Sequence, residues 1–325
     1  MKYIIIIVLM VFLNAGDVHS QKLFQPSIDK IYNARMGRLY ADYLAADVWL
    51  KTGNTDPSSK KMMEATFEKL DIDHALLIKG IKNPVKYIDT YFNLRKLVKG
   101  EERCTSSDME RASYLLYNVK NTALKKMYFN KVLKAELGRE GLSDQAQSLF
   151  NDAKLVIKDE VFIANTKILL DKYKLIERGA ISPQFSLKTS KGEILTPASF
   201  KGKVLVMQVL CGNASIDSAS AQKKAFEKVA DSFAGKDSIL FVRIDMGKNI
   251  KPGNTAVEAV TGAHVLQLSP LNKNEFTNQF MLMSLTRHMI ISDQKIMYSH
   301  LPDIGSIGVF VNVAKMTTEI NKNDE

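Results

Sequence analysis

Apolar residues follow two regimes along this chain. From Ser27 to Arg178 they recur three and four positions apart, the period of an amphipathic helix; beyond Gly179 short, nearly continuous apolar runs take over. In the first regime Leu39, Tyr43, Leu44 and Val48 share a stripe with Trp49 beside them. Asp56-Pro57 reads as an N-cap with proline at the first helical position, opening a helix through Met62, Phe67 and Leu70. Asn83-Pro84 repeats the signal, and Gly100 closes that helix after Tyr87, Tyr91, Leu94 and Leu97. Ser107 and Glu110 form a capping box ahead of a long segment through Leu137 to Gly138. Ser143-Asp144 starts the last segment, through Leu149, Leu155, Phe162, Ile168 and Leu175. About five such helices predict a small bundle or stacked hairpins. No fixed repeat period runs through them. Met62, Met63, Tyr87, Tyr91, Phe92, Tyr114, Tyr117, Tyr128 and Phe129 are expected in its core, because helical spacing alone places them there.

Glu177-Arg178-Gly179 marks the change of regime. Ser182-Pro183 and Thr196-Pro197 punctuate short strands of a β-ribbon. Val204 to Cys211 is apolar almost throughout, which predicts a strand covered on both faces. A small polar turn follows, Gly212 to Ser215, then a helical pattern from Asp217 to Phe233 and a second buried strand from Ser238 to Asp245. Strand, helix and strand of these lengths make a right-handed βαβ unit with parallel pairing. Lys248 to Gly262 is polar, turns at Pro252-Gly253-Asn254, and reads as a surface excursion. Asn274 to Met283 reads as a helix. Thr286–Ser292 and Lys295–Ser299 form an antiparallel pair about Asp293-Gln294, and a closing helix spans Ser306 to Met316.

Gly179, Pro183, Phe185, Leu187, Gly192, Leu195, Phe200, Gly202 and Lys203 resemble the start of a thioredoxin-like domain of the AhpC/TSA-related TlpA/ResA type. That resemblance implies thiol–disulfide exchange in envelope redox homeostasis, carried by a WCxxC motif at the start of the helix after the first central strand. Aligned without gaps, the motif's tryptophan falls at Asn213 and its cysteines at Ala214 and Asp217; the following glutamate and proline fall at Ser220 and Gln222. Family members read roughly GIPRFILIDKDGKI where this chain has Met283 to Ile296, so the family's cis-proline falls on Leu285. A leucine there is expected to be trans, since a non-proline cis bond costs about 2.5–4 kcal/mol. The family's later loop proline has its counterpart in Pro302, and a helical segment ahead of the redox domain is common in larger members. The resemblance implies a scaffold kept and a sulfur pair lost.

Composition adds three bounds. The 325 residues and 46% hydrophobic content suit two domains with sizeable cores. The net charge of +10 is spread over lysines interspersed with acids, which argues for solvated faces and against a nucleic-acid partner. Lys2, the apolar run Ile4–Leu13 and Val18-His19-Ser20 read as a signal peptide, residues 1–20, cleaved between Ser20 and Gln21. The expected protein is therefore periplasmic or secreted, with no integral membrane segment after cleavage.

Two cysteines remain, Cys104 in a polar linker and Cys211 at a strand end, and nothing in the sequence says whether they pair. Cys211 is either a small buried hydrophobe or a displaced nucleophile. Asp217 suits a first-turn acid favoured by the helix dipole. His264, His288 and His300 stand apart, with Asp303 the one acid close to His300, and no metal or cofactor motif occurs. The expectation is an α+α/β chain: a helical domain over 21–178, then a thioredoxin-like domain over 179–325, a central mixed sheet flanked by helices. Its function reads as a non-catalytic binding or scaffolding module with no cofactor, holding a peptide or protein at the degenerate site around Ala214, Asp217 and Leu285. The alternative is a TlpA-type oxidoreductase acting through Cys211.

Overall fold

Caps and turns in the sequence set most element ends in this computed structural model, which describes residues 18–52, 56–68, 70, 72–74, 83–99, 107–211, 216–246, 264–282, 286–301 and 304–323. The chain divides into two compact units, Met1–Asn130 and Lys131–Glu325. Helical structure gives way to strands further on, between Lys174 and Leu187. No helix among the described residues is long and apolar enough to cross a membrane.

The first unit holds α1 (Val18–Thr52), α2 (Pro57–Phe67), α3 (Pro84–Lys99), α4 (Asp108–Asn118) and the start of α5 (Thr122–Glu140). Asp56 accepts from the Ser58 amide at 3.0 Å, as an N-cap should. Both bonds of the Ser107–Glu110 capping box are made. The segment expected to run unbroken from Ser107 to Leu137 is two helices. Asp73 accepts from the amides of Lys120 and Asn121 at 2.7 and 2.9 Å, and Asn121 recaps the chain through Leu124 N. That corner satisfies backbone donors a continuous helix would have used. Met63, Tyr87, Phe92, Tyr128 and Phe129 are buried as expected, whereas Leu44, Val48, Met62 and Tyr117 face outward.

The second unit begins within α5, which runs through Gly138 and stops at Glu140, with Gly141 in the left-handed region at φ 74°. Next come α6 (Asp144–Val156) and α7 (Glu160–Lys174). The sequence treats these as one helix. Asp159 instead caps a new one by accepting from Phe162 N at 2.9 Å, which resets the helical phase. Leu155, Ile168 and Leu175, which the spacing sets on that one segment, are exposed.

Among the described residues the sheet has seven strands: β1 (Leu187–Lys188), β2 (Ile194–Leu195), β3 (Val204–Leu210), β4 (Ile239–Asp245), β5 (Val265–Pro270), β6 (Arg287–Ser292) and β7 (Lys295–Tyr298). Their order is β2-β1-β5-β4-β3-β6-β7. β3, β4 and β5 pair in parallel, and β6 runs antiparallel to β3. β6 and β7 form a hairpin whose turn residues Asp293 and Gln294 both have positive φ, 46° and 60°, which matches the strand twist. Helices α8 (Ile216–Asp231), α9 (Lys273–Gln279) and α10 (Ile307–Asn323) accompany the strands.

All seven residues of β3 are buried. Leu205, Met207, Val209 and Cys211 share one core with Phe185, Phe276, Phe280 and Leu282. Val204 and Val206 face the other, with Phe226 of α8 and Ile307, Val311 and Ala314 of α10. Covering on both faces is why β3 reads as an unbroken apolar run. β5 follows directly on the polar excursion and is not predicted by the pattern; residues 247–263 of that excursion lie outside the described ones.

Candidate functional site

Parallel strands β3 and β4 end together, and α8 begins beyond β3. In open sheets of this kind ligands bind at the carboxyl ends of the strands. Cys211 is the first residue after β3, and Asp217 falls in the first turn of α8. Ala214, Leu285, Cys104, Pro302 and Asp303 lie outside the described residues.

Cys211 is a free, buried thiol. Burial pushes its pKa up; the nearby Arg287 charge opposes that, and Asp245 adds to it. A redox cysteine needs the reverse, an accessible thiolate at a helix N-terminus. Here the thiol sits on the strand, facing the core with Phe276 and Phe280.

Arg287 stands beside it because β6 opposes β3 with Val209 paired to Arg287. This guanidinium is 4% exposed. It donates to the carbonyls of Phe280 at 2.6 Å and Met281 at 2.9 Å, and the Tyr173 hydroxyl beside it donates to the same Met281 carbonyl at 3.5 Å. Its described acceptors are thus carbonyl oxygens, not carboxylates, and burial holds its pKa down. The carbonyls belong to the C-terminal end of α9, where a cation is favoured. Met281 takes a left-handed φ of 49°, costly for a non-glycine residue, and Arg287 clamps that turn. The clamp holds the chain just ahead of 283–285, the segment containing Leu285.

Tyr173 carries the arrangement outward. Its ring stacks on His300, with centroids 6.2 Å apart and planes inclined by 30°. His300 Nδ1 lies 3.0 Å from Ser299 Oγ, and Nε2 is buried with no hydrogen-bond partner in this structure. Burial first, then the Arg287 charge, brings the His300 pKa down to about 3, against a small opposing effect of the Leu137 carbonyl. This imidazole is neutral at any physiological pH. Gly141 permits the packing: a Cβ there would stand 2.9 Å from Nδ1, and its φ of 74° suits glycine alone.

On the opposite face of the sheet a polar row crosses three central strands. Gln208 on β3 is paired with Arg243 on β4 and His288 on β6. Arg243 Nε donates to Gln208 Oε1 at 3.0 Å, so the Gln208 amide nitrogen faces His288 Nε2 at 3.1 Å and donates to the Gln222 carbonyl at 3.1 Å. In that orientation His288 accepts at Nε2. Arg243 also reaches Glu227 at 2.9 Å and the Lys223 carbonyl at 3.1 Å. The bonds to Gln222, Glu227 and Lys223 tie α8 to the sheet, while those among Gln208, Arg243 and His288 join its three central strands. Arg287 and His288 are both buried, 4% and 6% exposed. The sequence signal for the row is one polar residue inside each apolar run, Gln208 in VLVMQVL and Arg243 in ILFVRID. Among the described residues no cluster of histidine, cysteine and acids could hold a metal.

A parallel β3–α8–β4 unit, then an antiparallel hairpin and a closing helix, with β3 central between β4 and β6, is the order that defines one fold. The C-terminal unit is thioredoxin-like. No protein-family model matches the chain, and no curated protein matches it. Solved structures do. A putative thiol-disulfide oxidoreductase from Bacteroides vulgatus is 18% identical over 43% of this chain and 98% of its own, with a TM-score of 0.37. A thioredoxin-like protein from Bacteroides caccae is 9% identical over 77% of this chain and 93% of its own, with a TM-score of 0.43. The exposed lipoprotein thioredoxin of Streptococcus pneumoniae is 12% identical over 40% and 99%, with a TM-score of 0.30. At such identities and scores the fold assignment stands on strand order, not on these likenesses.

Proposed function

We propose that this chain is an exported thioredoxin-like protein of the TlpA type that has lost thiol–disulfide chemistry and serves as a binding or scaffolding module in the bacterial cell envelope. One observation carries the reading: the only described thiol is buried at the end of β3 with its pKa raised, while the motif's two cysteine positions hold Ala214 and Asp217. Disulfide exchange needs a thiolate to attack one sulfur and a second thiol to release the mixed disulfide. Neither motif position supplies sulfur. What remains is the position at the carboxyl ends of β3 and β4, where sheets of this kind bind ligands, and an extended peptide held through backbone hydrogen bonds suits it. The left-handed turn at Met281, fixed by Arg287, lies at the same end of the unit and supports a preformed binding surface there.

The test is an insulin-reduction assay on the mature chain. Background turnover, unchanged in Cys211→Ser, is expected; turnover well above background that disappears in that variant refutes the reading. N-terminal sequencing of the exported protein is expected to begin at Gln21. The second reading, an oxidoreductase acting through Cys211, is favoured by one feature, the Arg287 charge beside the sulfur. It requires rapid alkylation of Cys211 in the folded protein at a pH below ~8.5, the ordinary thiol value.

A further inference from the structure

Helix α7 carries a second, unused face. Leu170 and Tyr173 are buried on its inner side, yet Val161 is 71% exposed, Ile168 55% and Leu175, at the C-cap, 67%. Exposed Ala164 joins them. Positions 161, 164, 168 and 175 alternate by three and four, with Asp171 in the remaining slot, so the stripe is a narrow heptad seam and not scattered surface. At 1.5 Å per residue the seam is ~21 Å long.

The charges flanking the seam select its partner. Asp159 and Glu160 stand at the N-terminal end of α7, and Lys172 and Lys174 at the C-terminal end. A parallel pairing of two such helices would set acid against acid and base against base. An antiparallel pairing sets each acidic end on a basic end and opposes the helix dipoles. It also brings Val161 to Leu175 and Ile168 to itself. Asp171, held by Lys167 at 2.6 Å and Lys174 at 3.2 Å, brings its neutralising lysines with it. A polar residue at one seam position is a known way to fix register.

We propose that α7 is a self-association surface: two copies of this chain pair through antiparallel α7 helices, with a two-fold axis at Ile168. A seam this short covers less than the ~1,200 Å² of a standard interface, so the dimer is a weak one, with a Kd in the range of about 10–100 μM.

Sedimentation equilibrium of the full mature chain across that concentration range is the test. A monomer–dimer equilibrium is expected. Ile168→Glu removes it, as does Ile168→Ser if the charge disturbs the helix. Glu160→Lys and Lys174→Glu each weaken it by about tenfold, and the double variant recovers most of the loss. Under mild oxidation Ile168→Cys cross-links to itself, and Val161→Cys cross-links to Leu175→Cys in a mixture but not to itself. A monomer at every concentration overturns the proposal, and so does a dimer indifferent to both Ile168 variants. Self-cross-linking of Val161→Cys overturns it in favour of parallel packing. Vesicle binding lost in Ile168→Glu without any dimer assigns the stripe to a lipid surface instead.

Discussion

Acidifying the protein should undo the packing around His300 before most carboxylates titrate. The folded pKa lies near 3 against an ordinary value of 6.5, so between those values the unfolded chain binds a proton that the folded chain refuses. The sign follows directly. With the folded value depressed, stability is complete above about pH 6.5 and falls as pH drops, by about 1.4 kcal/mol per unit until pH approaches 3. At pH 4.5 the loss is about 2.7 kcal/mol, a large share of the 5–15 kcal/mol that separates a typical folded domain from its unfolded chain. The cause is physical: an imidazolium there would be a second buried cation facing Arg287, between the Tyr173 ring and Gly141. His300→Gln removes the titration while keeping a polar side chain of similar reach. Urea unfolding from pH 7.5 to 4.5, followed by hydrogen exchange at β6 because Trp49 lies in the N-terminal unit, should show the wild type losing stability steeply. The variant should keep only the shallower slope of its carboxylates. Parallel profiles for the two proteins, or an NMR titration of His300 near 6.5, would refute the reasoning.

Gln208→Leu removes the acceptor of Arg243 Nε and the donor facing His288 Nε2, and should cost about 2–4 kcal/mol in urea denaturation. Gln208→Glu should cost less, because it still accepts from Arg243. Gly141→Ala should cost about 1–3 kcal/mol through its positive φ and the clash with His300, and His300→Ala in the same chain should relieve only the clash. Arg287→Met should raise the Cys211 thiol pKa further, read from the pH dependence of its alkylation, because the charge that opposes burial is gone. It should also loosen Phe280–Leu282 in hydrogen exchange. A Cys211 pKa that falls in that variant would contradict the placement.

The sheet was legible because burial on two faces leaves a mark composition cannot hide: β3 and β4 are nearly pure apolar runs, and Asp293-Gln294 announces its hairpin. Capping residues located the starts of α2, α4 and α6 for the same local reason. What failed was continuity. Asp73 and Asp159 break helices that the spacing joined, one by a contact distant in sequence and one by a cap lost inside a longer pattern. At the candidate site the sequence offers Ala214 and Asp217 only by resemblance, and the company of Cys211 not at all. Tyr173, Arg287 and His300 meet only through tertiary packing, and no spacing rule links positions so far apart.

The stacking of Tyr173 on His300 makes α7 a wall of the sheet domain and not a stalk leading to it. Recombination that spliced this sheet elsewhere at the helix-to-strand changeover would leave the wall behind, opening Arg287 and His300 to solvent. The inheritable module is therefore larger than the sheet, and its natural seam falls inside α5.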